Sequence, residues 1–232
     1  MFCEKCGTKN EAGVQFCGGC GAVVNQGTPT APADVLLGGY KWKVLEVQGD
    51  KMLLLSELII ERKAYHSSKT DATWENCDLR KYLNNEFYNK FEHYERDMIV
   101  ETKLPNKSNQ WYGTSSGNDT TDKIFLLSLE EVVKYFGDSG QLKYRPKADA
   151  VLLSDQYNEK RIAKDSYGSA CCWWLRSPGC RANSAACVEV GGRVVMLGRG
   201  VDEIGGDFMY FEGNFLGCNE YVGPRPALWL NL

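Results

Sequence analysis

Cys3, Cys6, Cys17 and Cys20 form two Cys-x2-Cys pairs separated by ten residues. Each pair can fold as a knuckle that aims two thiolates at one point. Two knuckles close a tetrahedral four-sulfur site, which suits Zn²⁺. Gly7 and Gly21 follow the second Cys of each pair, where the chain must turn tightly. A segment of about 24 residues cannot bury a core of its own, so metal would replace one. A redox or disulfide pair would suit a lone Cys-x2-Cys, but two pairs with matching glycines favour zinc. Four thiolates leave no open coordination position, so the expected zinc is structural. Lys5 and Lys9 balance Glu4 and Glu11. The neutral knot disfavours phosphate binding and favours protein docking or a purely structural role.

The remaining candidates for chemistry are weaker. His66 and His93 are the only histidines, and neither sits in a nucleophile motif. His93 lies among Glu92, Tyr94, Glu95 and Arg96 and reads as part of a solvated helix. Cys171 and Cys172 read as core packing beside Trp173, since free Cys is among the most buried residue types. Asn118, Asp119 and Asp122 could offer oxygens to calcium, but an Asx-type turn entering the next segment is the expectation. Gly191-Gly192 and Gly198-x-Gly200 do not open a helix, so no phosphate loop is expected. Arg176 and Arg225 are expected to fork onto carbonyls or a carboxylate and fix loops.

A ligand-binding surface is expected between residues 181 and 221. Its candidates are Arg181, Asn183, Glu189, Arg193, Arg199, Tyr210, Phe211 and Tyr221. Arginine and aromatics on a rigid sheet are what binding hot spots use, and strand alternation would turn about half of them outward. Tyr210, Phe211, Arg193 and Arg199 are the expected anchors.

The elements that must position these residues follow from pattern. Residues 42–47 and 52–56 flank Gly49-Asp50 and predict a hairpin. Leu79, Tyr82, Leu83 and Phe87 predict an amphipathic helix over 78–89, and 92–101 predicts a shorter one. Residues 106–123 predict a polar loop, and 124–127 a buried strand. Ser128 and Glu131 form a capping box for a helix ended by Gly137. A further helix is predicted over 155–164. From Cys171 onward short apolar runs are punctuated by glycine, which predicts strands and tight turns ending in a strand over 225–230. Helices confined to the first half with flanking strands give the class α+β.

The chain has 232 residues, 43% hydrophobic and 25% charged, with a net charge of −3. That composition excludes wholesale disorder and lacks the basic excess of a duplex binder, so nucleic acid is not the expected partner. No apolar run reaches the roughly 18 residues of a membrane helix. The first residues are polar and Cys-rich, not basic then apolar, so the expected compartment is the cytoplasm. Residues 1–24 are read as the zinc ribbon. Residues 25–37, with Pro29 and Pro32, are read as a linker, and 38–232 as one domain.

Several segments together resemble a known family. They are Thr73-Trp74-Glu75-Asn76-Cys77-Asp78-Leu79-Arg80, Trp111-Tyr112-Gly113, Trp173-Trp174-Leu175-Arg176-Ser177-Pro178-Gly179 and the ending Arg225-Pro226-Ala227-Leu228-Trp229-Leu230. The likeness is to the bacterial family called domain of unknown function 6273, over nearly all of residues 38–232. Its ending further resembles the C-type-lectin-like domains related to formylglycine-generating enzyme, some of which are variable proteins of diversity-generating retroelements. Gly223-Pro224 precedes the final Arg where the family has glycine and an apolar residue, and residues 207–221 look like an extra aromatic stretch. The resemblance implies a C-type-lectin-like α+β scaffold that binds a protein or peptide without catalysis. The implied alternative is an enzyme of the formylglycine-generating kind using Cys171 or Cys172, although that enzyme's cysteine motif is absent here.

Overall fold

A computed structural model describes Thr8, Lys9, Gly19, Cys20, residues 34–205 and residues 221–232. It also describes the backbone of two short strands between these last segments. The chain divides into two compact units, Met1–Ala33 and Asp34–Leu232.

The larger unit opens with β1 (Asp34–Leu37), β2 (Tyr40–Gln48) and β3 (Lys51–Ser56). β1 pairs antiparallel with β2, so the last four residues of the expected linker are a strand. The reason lies in their neighbour: Val35 and Leu37 pack on the core opened by Trp42, whose indole donates to the Leu37 carbonyl at 2.9 Å. The β2–β3 hairpin turns at Gly49, whose φ is +62°. The closing strand β15 (Ala227–Asn231) pairs with β3 and with β4 (Ile99–Val100), giving a sheet ordered β1-β2-β3-β15-β4. β3 is buried from Met52 to Ser56 because it lies between β2 and β15. Its near-continuous apolar run is the pattern of a strand covered on both faces.

The predicted helix over 78–89 begins as α1 (Asp78–Tyr82), widens to a π turn at Leu83–Phe87 and ends as a 3₁₀ turn at Tyr88–Lys90. The predicted second helix is shorter, α2 (His93–Met98), and gives way to β4. Glu95 closes a capping box on Glu92 and also accepts the Gly38 N–H at 2.8 Å, tying α2 to the β1–β2 turn. The short strands β5 (Thr102–Leu104) and β6 (Thr120–Asp122) pair with each other. Residues 124–127 are wholly buried but form only one bridge, Phe125 to Ala227, not the predicted strand. A continuous buried apolar run carries no period that would separate these outcomes. α3 (Leu129–Phe136) has the predicted Ser128–Glu131 capping box and stops at Gly137, with φ +125°.

The second sheet contains β7 (Leu152–Leu153), β8 (Ala163–Lys164), β9 (Ala170–Pro178), β10 (Ser184–Val188), β11 (Val194–Gly200) and β14 (Val222–Gly223). Its order is β14-β9-β10-β11-β7, with β8 also on β9. The helix predicted over 155–164 is a single turn, α4 (Asn158–Arg161). It is organised by a buried two-pronged ion pair of Arg161 with Asp155, at 2.9 and 3.0 Å. Strands β12 (Met209–Phe211) and β13 (Asn214–Leu216) form an antiparallel hairpin. No helix among the described residues is long and apolar enough to cross a membrane.

Candidate functional site

Three loops meet at one end of the β9–β10–β11 sheet: residues 66–72, 179–184 and 198–203. Main-chain hydrogen bonds lace them together. Ala72 N donates to Ala182 O (2.9 Å), His66 N to Val201 O (2.7 Å) and Val201 N to Asn183 O (3.1 Å). Cys180 N donates to Leu197 O (2.7 Å), and Gly179 N to Ser184 O (2.7 Å). The Ser184 hydroxyl accepts from Arg181 N and donates to Arg181 O, closing the 181–184 turn. Register shifts between Ala185 and Cys187 on both sides of β10, a bulge that redirects the strand next to this end.

The loops enclose a groove of about 330 Å³ lined by Lys69, Cys180, Arg181, Asn183, Ser184, Leu197, Gly198, Gly200 and Glu203. Its floor depends on two glycines. A Cβ on Gly198 (φ +79°) would sit 2.7 Å from Ala185 O, and one on Gly179 would sit 2.5 Å from Leu197 O. Arg181 is exposed and Asn183 half-buried at the mouth. Glu203 accepts from Gly200 N at 3.2 Å and from Arg199 Nε at 3.1 Å.

The structure therefore brings Arg181 and Asn183 together, but it does not assemble the other candidates around them. Arg199 is 1% exposed and lies beneath the groove against Glu203 and Cys172 Sγ, so it is not an outward anchor. The alternation argument fails because β10 and β11 are both covered: every residue from Val194 to Arg199 is buried. Glu189 and Arg193 occupy the β10–β11 turn at the far end, roughly 15–20 Å away along a five-residue strand. Glu189 is buried and accepts the Gly191 and Arg193 N–H groups and Arg193 Nε at 2.9–3.0 Å. Burial pushes its carboxyl up, but the hydrogen bonds from Arg193 and the turn amides outweigh it and hold it low. That carboxylate serves the turn. Tyr210 and Phe211 lie on β12, paired with Phe215 and Asn214, and their side chains fall outside the described residues. Tyr221 is half-exposed, with the Arg62 guanidinium stacked on its ring.

Sequence reasoning missed Lys69, Cys180 and Asn109. Buried Asn109 donates through Nδ2 to Pro178 O and Met196 O, both at 2.9 Å, and accepts the Trp111 N–H. It thereby clamps the polar 106–118 loop onto β9 and β11. Its only sequence signal is a polar loop rich in turn formers.

The other candidates for chemistry are buried or engage neighbours within the fold. Asp122 is buried and accepts from Trp74 Nε1 (2.8 Å), Arg80 Nε (2.6 Å) and Thr120 Oγ1 (2.8 Å), so its lone pairs are engaged by donors. Asp119 accepts the Asn106 N–H, and Asn118 donates to Glu75. The segment is a stapled turn, as its Asx pattern suggests. His66 Nδ1 lies 3.0 Å from the Asp78 carboxylate, which also accepts the Ser67 N–H and hydroxyl. His93 pairs with Asp97 on the exposed face of α2. Cys171 and Cys172 are buried, at 4% and 0% exposure. Cys77 caps α1, and burial pushes its thiol up to about 12. Arg176 reaches Leu126 O at 2.7 Å and the Glu131 carboxylate. Arg225 donates to Ser56 O against Trp173; burial pushes it down to about 10, still cationic at neutral pH.

In the N-terminal unit, Gly19 lies so close to Thr8 that a Cβ would overlap Thr8 Oγ1. Thr8 follows the first Cys pair and Gly19 sits inside the second. Their proximity brings the residue two places after Cys6 against the residue just before Cys20. Cys20 is exposed, while Cys3, Cys6 and Cys17 lie outside the described residues. Residues 2–24 match the family described as a zinc-ribbon domain. These four cysteines are the residues that would hold zinc there. No curated protein and no solved structure matches the chain. Residues 49–232 match the family described as Domain of unknown function (DUF6273), and since that is most of its length, the chain belongs to this family.

Proposed function

We propose that the larger unit is a C-type-lectin-like binding domain that holds a protein or peptide segment without catalysis, in the groove between residues 66–72, 179–184 and 198–203. Its topology supports the scaffold: the opening hairpin pairs with the closing strand, and a second sheet carries the ligand loops. The observation that carries the reading is the lacing of the three loops by main-chain hydrogen bonds. A groove held in one shape loses little entropy on binding. It sits where Arg181 and Asn183 converge.

Burial of Cys171 and Cys172 supports binding over the alternative of an enzyme related to formylglycine-generating enzyme, because a thiol catalyst must meet its substrate. The zinc ribbon supplies a second contact or a dock in the bacterial cytoplasm, and its neutral charge favours protein over nucleic acid. A diversity-generating retroelement variable protein is a special case of the same reading. It would place a near-copy of the coding DNA nearby, differing mainly at adenines.

The test is selection of random displayed peptides on the full chain, with Cys180 alkylated as the counter-target. Enriched peptides should lose at least tenfold in affinity on Arg181→Ala or Asn183→Ala with an unchanged melting temperature. Peptides that bind the alkylated chain equally well would place recognition elsewhere and sink the proposal.

A further inference from the structure

The charge inside the groove specifies what it accepts. Lys69 and Arg181 both line it and are both exposed. Among the described residues, neither side chain donates a hydrogen bond or pairs with a carboxylate. The one carboxylate in the lining, Glu203, is already engaged by Arg199 from beneath and by the Gly200 N–H. Arg199 is buried there, so it neutralises Glu203 and does not project into the groove. Asp71 and Asp202 are exposed on the same loops but do not line the cavity. Among the described residues the lining therefore presents two cations without a carboxylate partner, beside the Asn183 amide, with Glu203 held by Arg199.

We infer that the groove selects an acidic peptide segment, with one ligand carboxylate held between the Arg181 fork and the Lys69 ammonium; this rests on the ligand-binding reading above. Arginine's planar fork matches a carboxylate in two hydrogen bonds, while lysine adds a point charge. Asn183 offers an amide that can donate to and accept from a peptide unit.

The probe is a dye-labelled heptapeptide of alternating glutamate and glycine, compared with its glutamine analogue by fluorescence anisotropy on the full chain. Two exposed charge contacts should favour the acidic peptide by roughly twofold to thirtyfold. The preference should shrink as salt is added. Lys69→Gln with Arg181→Gln should abolish it at an unchanged melting temperature. Lys143→Gln with Lys147→Gln removes the same net charge elsewhere on the surface and should leave it intact. Equal affinity for both peptides, each protecting Cys180 from alkylation, would overturn the acidic inference while leaving the binding groove standing. An equal loss in the Lys143/Lys147 control would overturn it as a general charge effect, as would preference for a phosphoserine analogue. Failure of every peptide to bind or to protect Cys180 would overturn the inference and the groove reading together.

Discussion

Gly198 and Gly140 adopt nearly the same left-handed backbone, with φ of +79° and +80°, in opposite surroundings. A Cβ added at Gly140 meets nothing within 4 Å. One added at Gly198 falls 2.7 Å from Ala185 O and 2.7 Å from Gly179 Cα, with backbone on both sides. Alanine in this conformation costs about 1–2 kcal/mol at either site. The reduced freedom of the unfolded chain returns about 0.4–1 kcal/mol at either site. Both contributions cancel in the comparison. What remains at Gly198 is overpacking, about 1–3 kcal/mol, because β11 and the 179–184 loop must move apart. For a unit of this size each kcal/mol moves the melting temperature by about 2–4 °C. Gly198→Ala should therefore melt roughly 2–12 °C below Gly140→Ala by calorimetry on the full chain. It should also weaken peptide binding, since the shifted strands form the groove floor, whereas Gly140→Ala should not. Equal melting temperatures for the two variants would show that the crossing at Gly179 and Gly198 is not tight. The account of the groove floor would then fail.

Two other perturbations address the frame and the metal. Asp155→Asn leaves Arg161 buried without its counter-charge and should cost about 3–5 kcal/mol in urea melts, whereas replacing both by apolar residues of similar volume should recover most of the loss. In the native protein burial pushes Asp155 up, but Arg161, the Ser139 hydroxyl and the Tyr157 N–H more than reverse this and hold it low. Its contribution is thus present above the unfolded carboxyl value of about 4 and disappears as pH falls through the lower folded value. The acid limb of the stability curve should flatten in Asp155→Asn, and an unchanged limb would exclude this carboxylate as its source. Mass spectrometry under native conditions should find one zinc per chain, lost on Cys3→Ser or Cys20→Ser. The main melting transition should persist after chelation, because Met1–Ala33 and Asp34–Leu232 are separate compact units. Its disappearance would show that the larger unit requires the metal.

Local signals read well along this chain, and long-range ones did not. The Ser128–Glu131 capping box and its Gly137 stop each involve residues a few positions apart, and both form. The same holds for the hairpin at Gly49. The helix over 78–89 was legible as a helical face but not as a passage from α to π to 3₁₀ turns. The 155–164 segment looked helical, yet the buried Arg161–Asp155 pair and the β8 pairing with β9 shorten it to one turn. Tertiary partners decided the conformation there, and a sequence window does not contain them.

The candidate site divides along the same line. Arg181, Asn183 and Ser184 share one turn, so their convergence follows from local chain geometry. Lys69 arrives from a loop more than a hundred residues upstream, brought in by the hydrogen bond from Ala72 N to Ala182 O. Nothing near Lys69 in the sequence encodes that neighbour. The expectation for Arg199 failed for a different reason. Alternation assigns every second strand residue to solvent only when one face of the sheet is bare. Here β10 is buried throughout and β11 from Val194 to Arg199, so an arginine in that run must find its partners inside. Arg199 finds Glu203 and the Cys172 sulfur. That burial bears on the charge of the groove: Arg199 engages Glu203 from beneath, and among the described residues Lys69 and Arg181 above it have no carboxylate partner.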